Sequence, residues 1–295
     1  MLGNLFYGCG TALVTPFHGG RVDFDALERL IDWQIDSGID ALIVLGTTGE
    51  PCTVTKSERG EIIECAVERV SGRVPLYVGT GSNCTRTAAA QSVEAQRLGA
   101  DGLLVVTPYY NRASAAGLIE HFLTVADGVE IPIIVYNVPS RTGVNMPPEV
   151  MLELAKHPLL CAFKEACSDL GHAMRLYELV GDGIAIYCGN DDQALAHMSL
   201  GARGVISVAS NVAPAQMHAL ARSYLRGDVE SSRALQFSLL PLIRALFSQV
   251  SPIPVKAALS MMGMLENSLR LPLTPLDAEN SRILRRELER LRLLD

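Results

Sequence analysis

Eight short apolar runs, each followed by a stretch with helical patterning, restrict this chain more than any other feature. They are Gly10–Thr15, Ala41–Leu45, Leu76–Gly79, Gly102–Thr107, Ile131–Val135, Leu160–Lys164, Ile184–Cys188 and Gly204–Val208. Runs this short, bounded by turn residues, have the length of buried strands rather than of helices. Helix starts stand between them: Asp23 before the amphipathic stretch Phe24–Ser37, Ser57 with Glu61 nearby, and Pro147-Pro148 opening Glu149–Lys156. Strand alternating with helix implies parallel pairing through crossovers. Eight such units without a linker, composition shift or charge block favour one closed barrel over a doubly wound sheet. At 295 residues and 48% apolar content the chain can fill such a barrel and its shell. Four further stretches, Ala213–Leu225, Val229–Ser248, Pro254–Met264 and Asp277–Leu293, read as helices. The expectation is an α/β protein, a (β/α)₈ TIM barrel over residues 1–225, with a C-terminal helical extension over 226–295 packed on it.

Charge and motif content narrow the function classes. A net charge of −7 with no basic cluster argues against nucleic acid or an anionic membrane as partner and favours small molecules. The seven cysteines are odd in number, scattered and never spaced Cys-x-x-Cys, so they read as reduced core thiols. Met1 to Tyr7 lacks the charged and apolar regions of a signal peptide, and no stretch reaches about 18 uninterrupted apolar residues. A cytoplasmic protein is expected. The six histidines show no metal-ligand spacing, so no metal is expected. Gly79-Thr80-Gly81 lacks the third glycine of a dinucleotide fingerprint, because Cys84 stands there. Asp191-Asp192 reads as a helix N-cap followed by a first-turn acid.

In a barrel of this kind, chemistry sits where strands end and βα loops begin. Here those ends carry Gly46-Thr47-Thr48-Gly49-Glu50, Gly79-Thr80-Gly81-Ser82-Asn83, Thr107-Pro108-Tyr109-Tyr110-Asn111, Tyr136, Lys164 and Gly189-Asn190-Asp191-Asp192. A lysine closing an apolar run either snorkels out to pair with Glu165 or stays desolvated, and burial turns a lysine into an amine nucleophile toward carbonyl carbon. Tyr136 and Arg141 follow the preceding run. Amine, phenol, hydroxyls and guanidinium on one rim suit imine formation with a carboxylate-bearing substrate. Singly, Thr47 and Thr48 could be helix caps, Tyr110 an interface residue and Arg141 a loop charge. All four would then share the rim that chemistry uses only by coincidence.

The ordered motifs Gly46-Thr47-Thr48-Gly49-Glu50, Gly79-Thr80-Gly81-Ser82-Asn83, Thr107-Pro108-Tyr109-Tyr110-Asn111, Tyr136-Asn137-Val138-Pro139-Ser140-Arg141-Thr142-Gly143, Lys164-Glu165-Ala166, Gly204-Val205-Ile206-Ser207-Val208 and Pro252-Ile253-Pro254-Val255-Lys256 span nearly the whole chain. In them the chain resembles the dihydrodipicolinate synthase (4-hydroxy-tetrahydrodipicolinate synthase) family, within the N-acetylneuraminate lyase superfamily of class I aldolases. The lysine and tyrosine belong to the whole superfamily; Arg141 and Thr47 narrow it. The resemblance implies that Lys164 forms a Schiff base with pyruvate, with no other cofactor. Tyr136 would relay protons through Thr47 to Tyr110, supplied by the neighbouring subunit of a tight dimer, in a protein expected to be tetrameric. Arg141 would hold the carboxylate of aspartate semialdehyde and Thr48 that of pyruvate, with the backbone around Gly189 and Ile206 lining the same pocket. Lys256 is read as a helix-start lysine that buttresses the rim. Two alternatives stay open: a related lyase acting on a 2-keto-3-deoxy sugar acid, and a non-catalytic barrel that binds pyruvate. In family members that lysine inhibits, the resemblance places a histidine where Lys56 stands and a glutamate where Thr87 stands, with Asn83 and Tyr109 kept. Absence of lysine feedback is expected.

Overall fold

The computed structural model describes residues 5–294. Eight strands, β1 (Gly8–Ala12), β2 (Ala41–Val44), β3 (Leu76–Gly79), β4 (Gly102–Val106), β5 (Ile133–Asn137), β6 (Ala162–Glu165), β7 (Ala185–Cys188) and β8 (Gly204–Ser207), form the barrel. All neighbours are parallel, and β1 closes the ring by pairing with both β2 and β8. The expected eight-stranded barrel is present, with three strand positions shifted along the chain. The first strand starts at Gly8, two residues before the first apolar run. The fifth starts at Ile133, two residues into its run, because Pro132 cannot donate to a ladder. The sixth starts at Ala162, since Leu160 N–H is committed to the His157 carbonyl of the preceding turn.

Side chains alternate between two cores, as the two-residue period of a strand requires. Ile133, Val135 and Phe163 face the helical shell, whereas Ile134, Tyr136 and Ala162 join Ile43, Tyr77, Leu104, Tyr187 and Ile206 inside the barrel. Phe6 plugs the N-terminal end: its ring stacks on Tyr187 with centroids 4.4 Å apart, and Tyr187 OH donates to the Phe6 carbonyl. The interior is packed, and access is left to the C-terminal rim.

The shell is formed by α1 (Phe24–Asp36), α2 (Lys56–Val70), α3 (Thr85–Arg97), α4 (Ala115–Ala126), α5 (Pro148–Leu154), α6 (Leu170–Val180), α7 (Ala194–Ser199) and α8 (Pro214–Leu225). Asp23 caps α1 as read from sequence. For α2 the cap is Thr55 in a reciprocal box with Glu58, not Ser57, whose hydroxyl instead donates to Glu61 from within the helix. The chain continues through α9 (Val229–Leu246), α10 (Ile253–Met261) and α11 (Ala278–Arg290). Helix α10 buries seven of its nine residues, so it lies inside the molecule rather than on it. It carries Lys256 to the second βα loop. Four of the seven free cysteines are buried; Cys52 and Cys84 are exposed, so the core-thiol reading does not extend to them.

Candidate active site

Lys164 and Tyr136 are register partners at the rim ends of β6 and β5. Both point inward. Lys164 is 4% exposed and Tyr136 6%, and Lys164 Nζ lies 4.3 Å from the centre of the tyrosine ring. Glu165 faces the opposite side of the sheet. Its carboxylate accepts from Asn137 Nδ2 and, at 2.6 Å, from Cys167 N–H. The alternative in which Lys164 pairs with Glu165 is therefore ruled out by the pleat. Next to Lys164 the chain needs a glycine, since a Cβ on Gly189 would sit 3.0 Å from Lys164 Cε and 2.6 Å from Ala166 Cβ.

Thr47 and Thr48 form a 3₁₀ turn over Thr47–Gly49, and neither caps it. Thr15 Oγ1 holds the turn through the Gly49 carbonyl, and Glu50 ends it in a left-handed conformation. Arg141 lies in the one-turn helix Pro139–Thr142, exposed, with Nη2 donating to the Ser251 carbonyl at 3.1 Å. A cavity of about 1100 Å³ opens over this rim. Thr47, Tyr136 and Arg141 line it together with Leu104, Val138, Tyr109 and Ser251. Lys164, Thr48, Gly189 and Ile206 do not line it; the ring of Tyr136 stands over the lysine, and Ile206 is packed into the inner core.

Tyr110 is not brought to the site within the chain. It is 90% exposed and held at φ +74°, while Asn111 Nδ2 ties its loop to the Asn83 carbonyl. A tyrosine at positive φ with its side chain largely in solvent is a strained arrangement.

Lys56, Arg59, Arg86, Thr87, Glu94 and Arg97 also line the cavity. Arg59 has no counterpart in the expectations. It is buried and donates Nη1 to the Gly79 carbonyl at 2.8 Å, and that burial lowers its pKa. An arginine on a polar helix gives no local signal of such burial. Asp191 is corrected: it does not cap its own turn. Its Oδ2 accepts from Val208 and Ala209 N–H, anchoring the loop after β8, and burial raises its pKa.

A parallel barrel with a buried amine beneath a phenol at its C-terminal rim defines a class I aldolase type of site. The chain belongs to the dihydrodipicolinate synthetase family, whose model matches residues 5–291. It is 48% identical over 286 residues to a 4-hydroxy-tetrahydrodipicolinate synthase of Alkaliphilus oremlandii, covering 97% of this chain and 99% of that protein. It is 50% identical to the enzyme of that name from Caldicellulosiruptor bescii, covering 97% of each. The crystal structure of the dihydrodipicolinate synthase of Thermotoga maritima superposes with a TM-score of 0.96 at 43% identity, covering 98% of this chain and 99% of that one.

Proposed function

We propose that the protein condenses pyruvate with L-aspartate 4-semialdehyde to 4-hydroxy-tetrahydrodipicolinate, toward lysine and diaminopimelate. The buried Lys164 in register with Tyr136, in a chain of this family, carries the reading. Lys164 Nζ attacks the ketone carbon of pyruvate, and loss of water leaves an imine. Removal of a methyl proton gives an enamine whose carbon attacks the aldehyde, and the new alkoxide takes up a proton. The amine of the semialdehyde then displaces Lys164 by transimination and closes the ring. No cofactor is required, because lysine supplies the covalent group.

Tyr136 passes the protons of these steps, through Thr47, to Tyr110 of the partner subunit. Thr48 holds the carboxylate of pyruvate, and the backbone around Gly189 and Ile206 lines the same pocket. Arg141, fixed at one nitrogen by Ser251, keeps other donors for the semialdehyde carboxylate. The exposure of Tyr110 supports a site completed across a tight dimer, and the tetramer remains part of the reading. Among the described residues no helix is long and apolar enough to cross a membrane, and we place the protein in the cytoplasm. Turnover of aspartate semialdehyde in the presence of pyruvate, coupled to the reductase that consumes the product, tests the reading. Cleavage of a 2-keto-3-deoxy sugar acid without that turnover would move the protein to the sugar-acid lyases.

Lysine feedback is expected to be absent. Lys56 and Thr87 both line the cavity beside Tyr109, and Arg59 adds a second cation to that wall. Two of the acids flanking Lys56 in sequence are already engaged. Glu50 is bound to Lys256, and Glu58, held down to a pKa of about 2 by Arg270, is paired to that guanidinium. A reversed unit charge at about 4 Å and an effective dielectric near 20 is worth about 4 kcal/mol before screening, which is two or more decades in affinity. Initial rates with and without millimolar L-lysine should coincide. Clear inhibition reversed by dilution would show the expectation wrong.

A further inference from the structure

Lys256 lies 206 residues from Glu50 in sequence, yet its Nζ is 2.6 Å from Glu50 Oε1 in a site closed to solvent on both sides. The other carboxylate oxygen, Oε2, accepts from Arg270 N–H. The Lys256 ammonium also lies 4.1 Å from the centre of the Phe17 ring, and the Arg270 guanidinium 4.2 Å from it. Arg270 in turn bonds the carbonyls of Gly20 and Thr53 and the carboxylate of Glu58. These contacts converge on the residue that ends the Thr47–Gly49 turn, whose left-handed backbone is closed by Glu50 N–H donating to the Thr47 carbonyl.

A buried ion pair is seldom the most stable use of such a volume, since well-packed apolar residues often match or exceed it. What a pair with two fixed ends supplies is position. Glu50 has both oxygens tied to the C-terminal extension, so the turn bearing Thr47 cannot rotate without breaking a charge pair in a dry site. The same extension holds Arg141 through Ser251.

We infer that Lys256 is a positioning residue for the condensation, acting through Glu50 to fix the Thr47 hydroxyl between Tyr136 and the Tyr110 of the partner subunit. The inference rests on the reading of Thr47 as part of the proton relay. It goes beyond a rim buttress because it assigns the pair an effect on turnover separable from its effect on stability. A misplacement of about 1 Å in a reacting constellation can cost about 10²-fold in rate.

Two variants, Lys256→Met and the double variant Glu50→Gln with Lys256→Met, separate the two roles. Lys256→Met leaves a buried carboxylate unpaired and should lower both the thermal midpoint and kcat. The double variant removes both charges, so the midpoint should recover toward wild type while kcat, measured well below it, stays about 10²-fold down. Borohydride should still trap pyruvate on Lys164 in the double variant, because the imine lysine is untouched. Recovery of kcat together with the midpoint would overturn the inference. Should Lys256→Met fail to fold, the double variant carries the test alone. Pyruvate trapping by borohydride on the wild type keeps the two failures apart: a wild type that traps nothing refutes the parent reading, whereas trapping with full kcat in the double variant refutes only the role of Lys256.

Discussion

Tyr110→Phe is expected to lower turnover about 10²–10⁴-fold, the range lost when a positioned proton relay is removed. Tyr110 is 90% exposed, so loss of its hydroxyl uncovers no buried surface of the chain. The thermal midpoint should stay close to that of the wild type. The sharper result comes from mixing Tyr110→Phe with Lys164→Ala. Each is inactive alone, but a hybrid dimer joins the intact Lys164 of one subunit to the intact Tyr110 of the other. Random exchange should restore about a quarter of wild-type activity, since half the dimers are hybrids with one good site of two. No recovery after verified subunit exchange would place Tyr110 in its own subunit's site.

Lys164→Ala should have the largest effect of any single substitution, a loss of about 10⁴–10⁶-fold, as expected when the covalent nucleophile is deleted. The protein should still fold. Lys164 makes its close contact with the Tyr136 ring, and the buried Asp191 carboxylate, which feels the Lys164 ammonium, keeps its hydrogen bonds from Val208 and Ala209 N–H when the lysine is truncated. Retention of more than about a tenth of wild-type kcat would remove the imine from the account.

Which parts of this were legible in the sequence depends on how local the cause is. The eight strands are short, apolar and bounded by turn residues, so local pattern finds them, and the two-residue alternation then sends Tyr136 and Lys164 inward as neighbours. Strand limits move where a single group intervenes, as at Pro132. Caps depend on which hydroxyl meets the third N–H, and Thr55 does so where the sequence points to Ser57. Contacts across the whole chain leave no local trace. The Glu50–Lys256 pair joins a βα loop to the extension, Asp191 serves the loop after β8 rather than its own turn, and Arg59 is buried by the end of β3. A charged residue in a motif is visible in sequence; the partner that fixes its role is not.

The chain has four lysines, which makes the central claim simple to test. Lys56 is exposed, Lys156 is paired with Glu153 on the surface, and Lys256 is locked to Glu50. Pyruvate followed by borohydride, read by mass spectrometry of the intact protein and its peptides, should add one reduced pyruvyl group per chain, on Lys164. An adduct on Lys56, Lys156 or Lys256, or no adduct at all, would contradict the account.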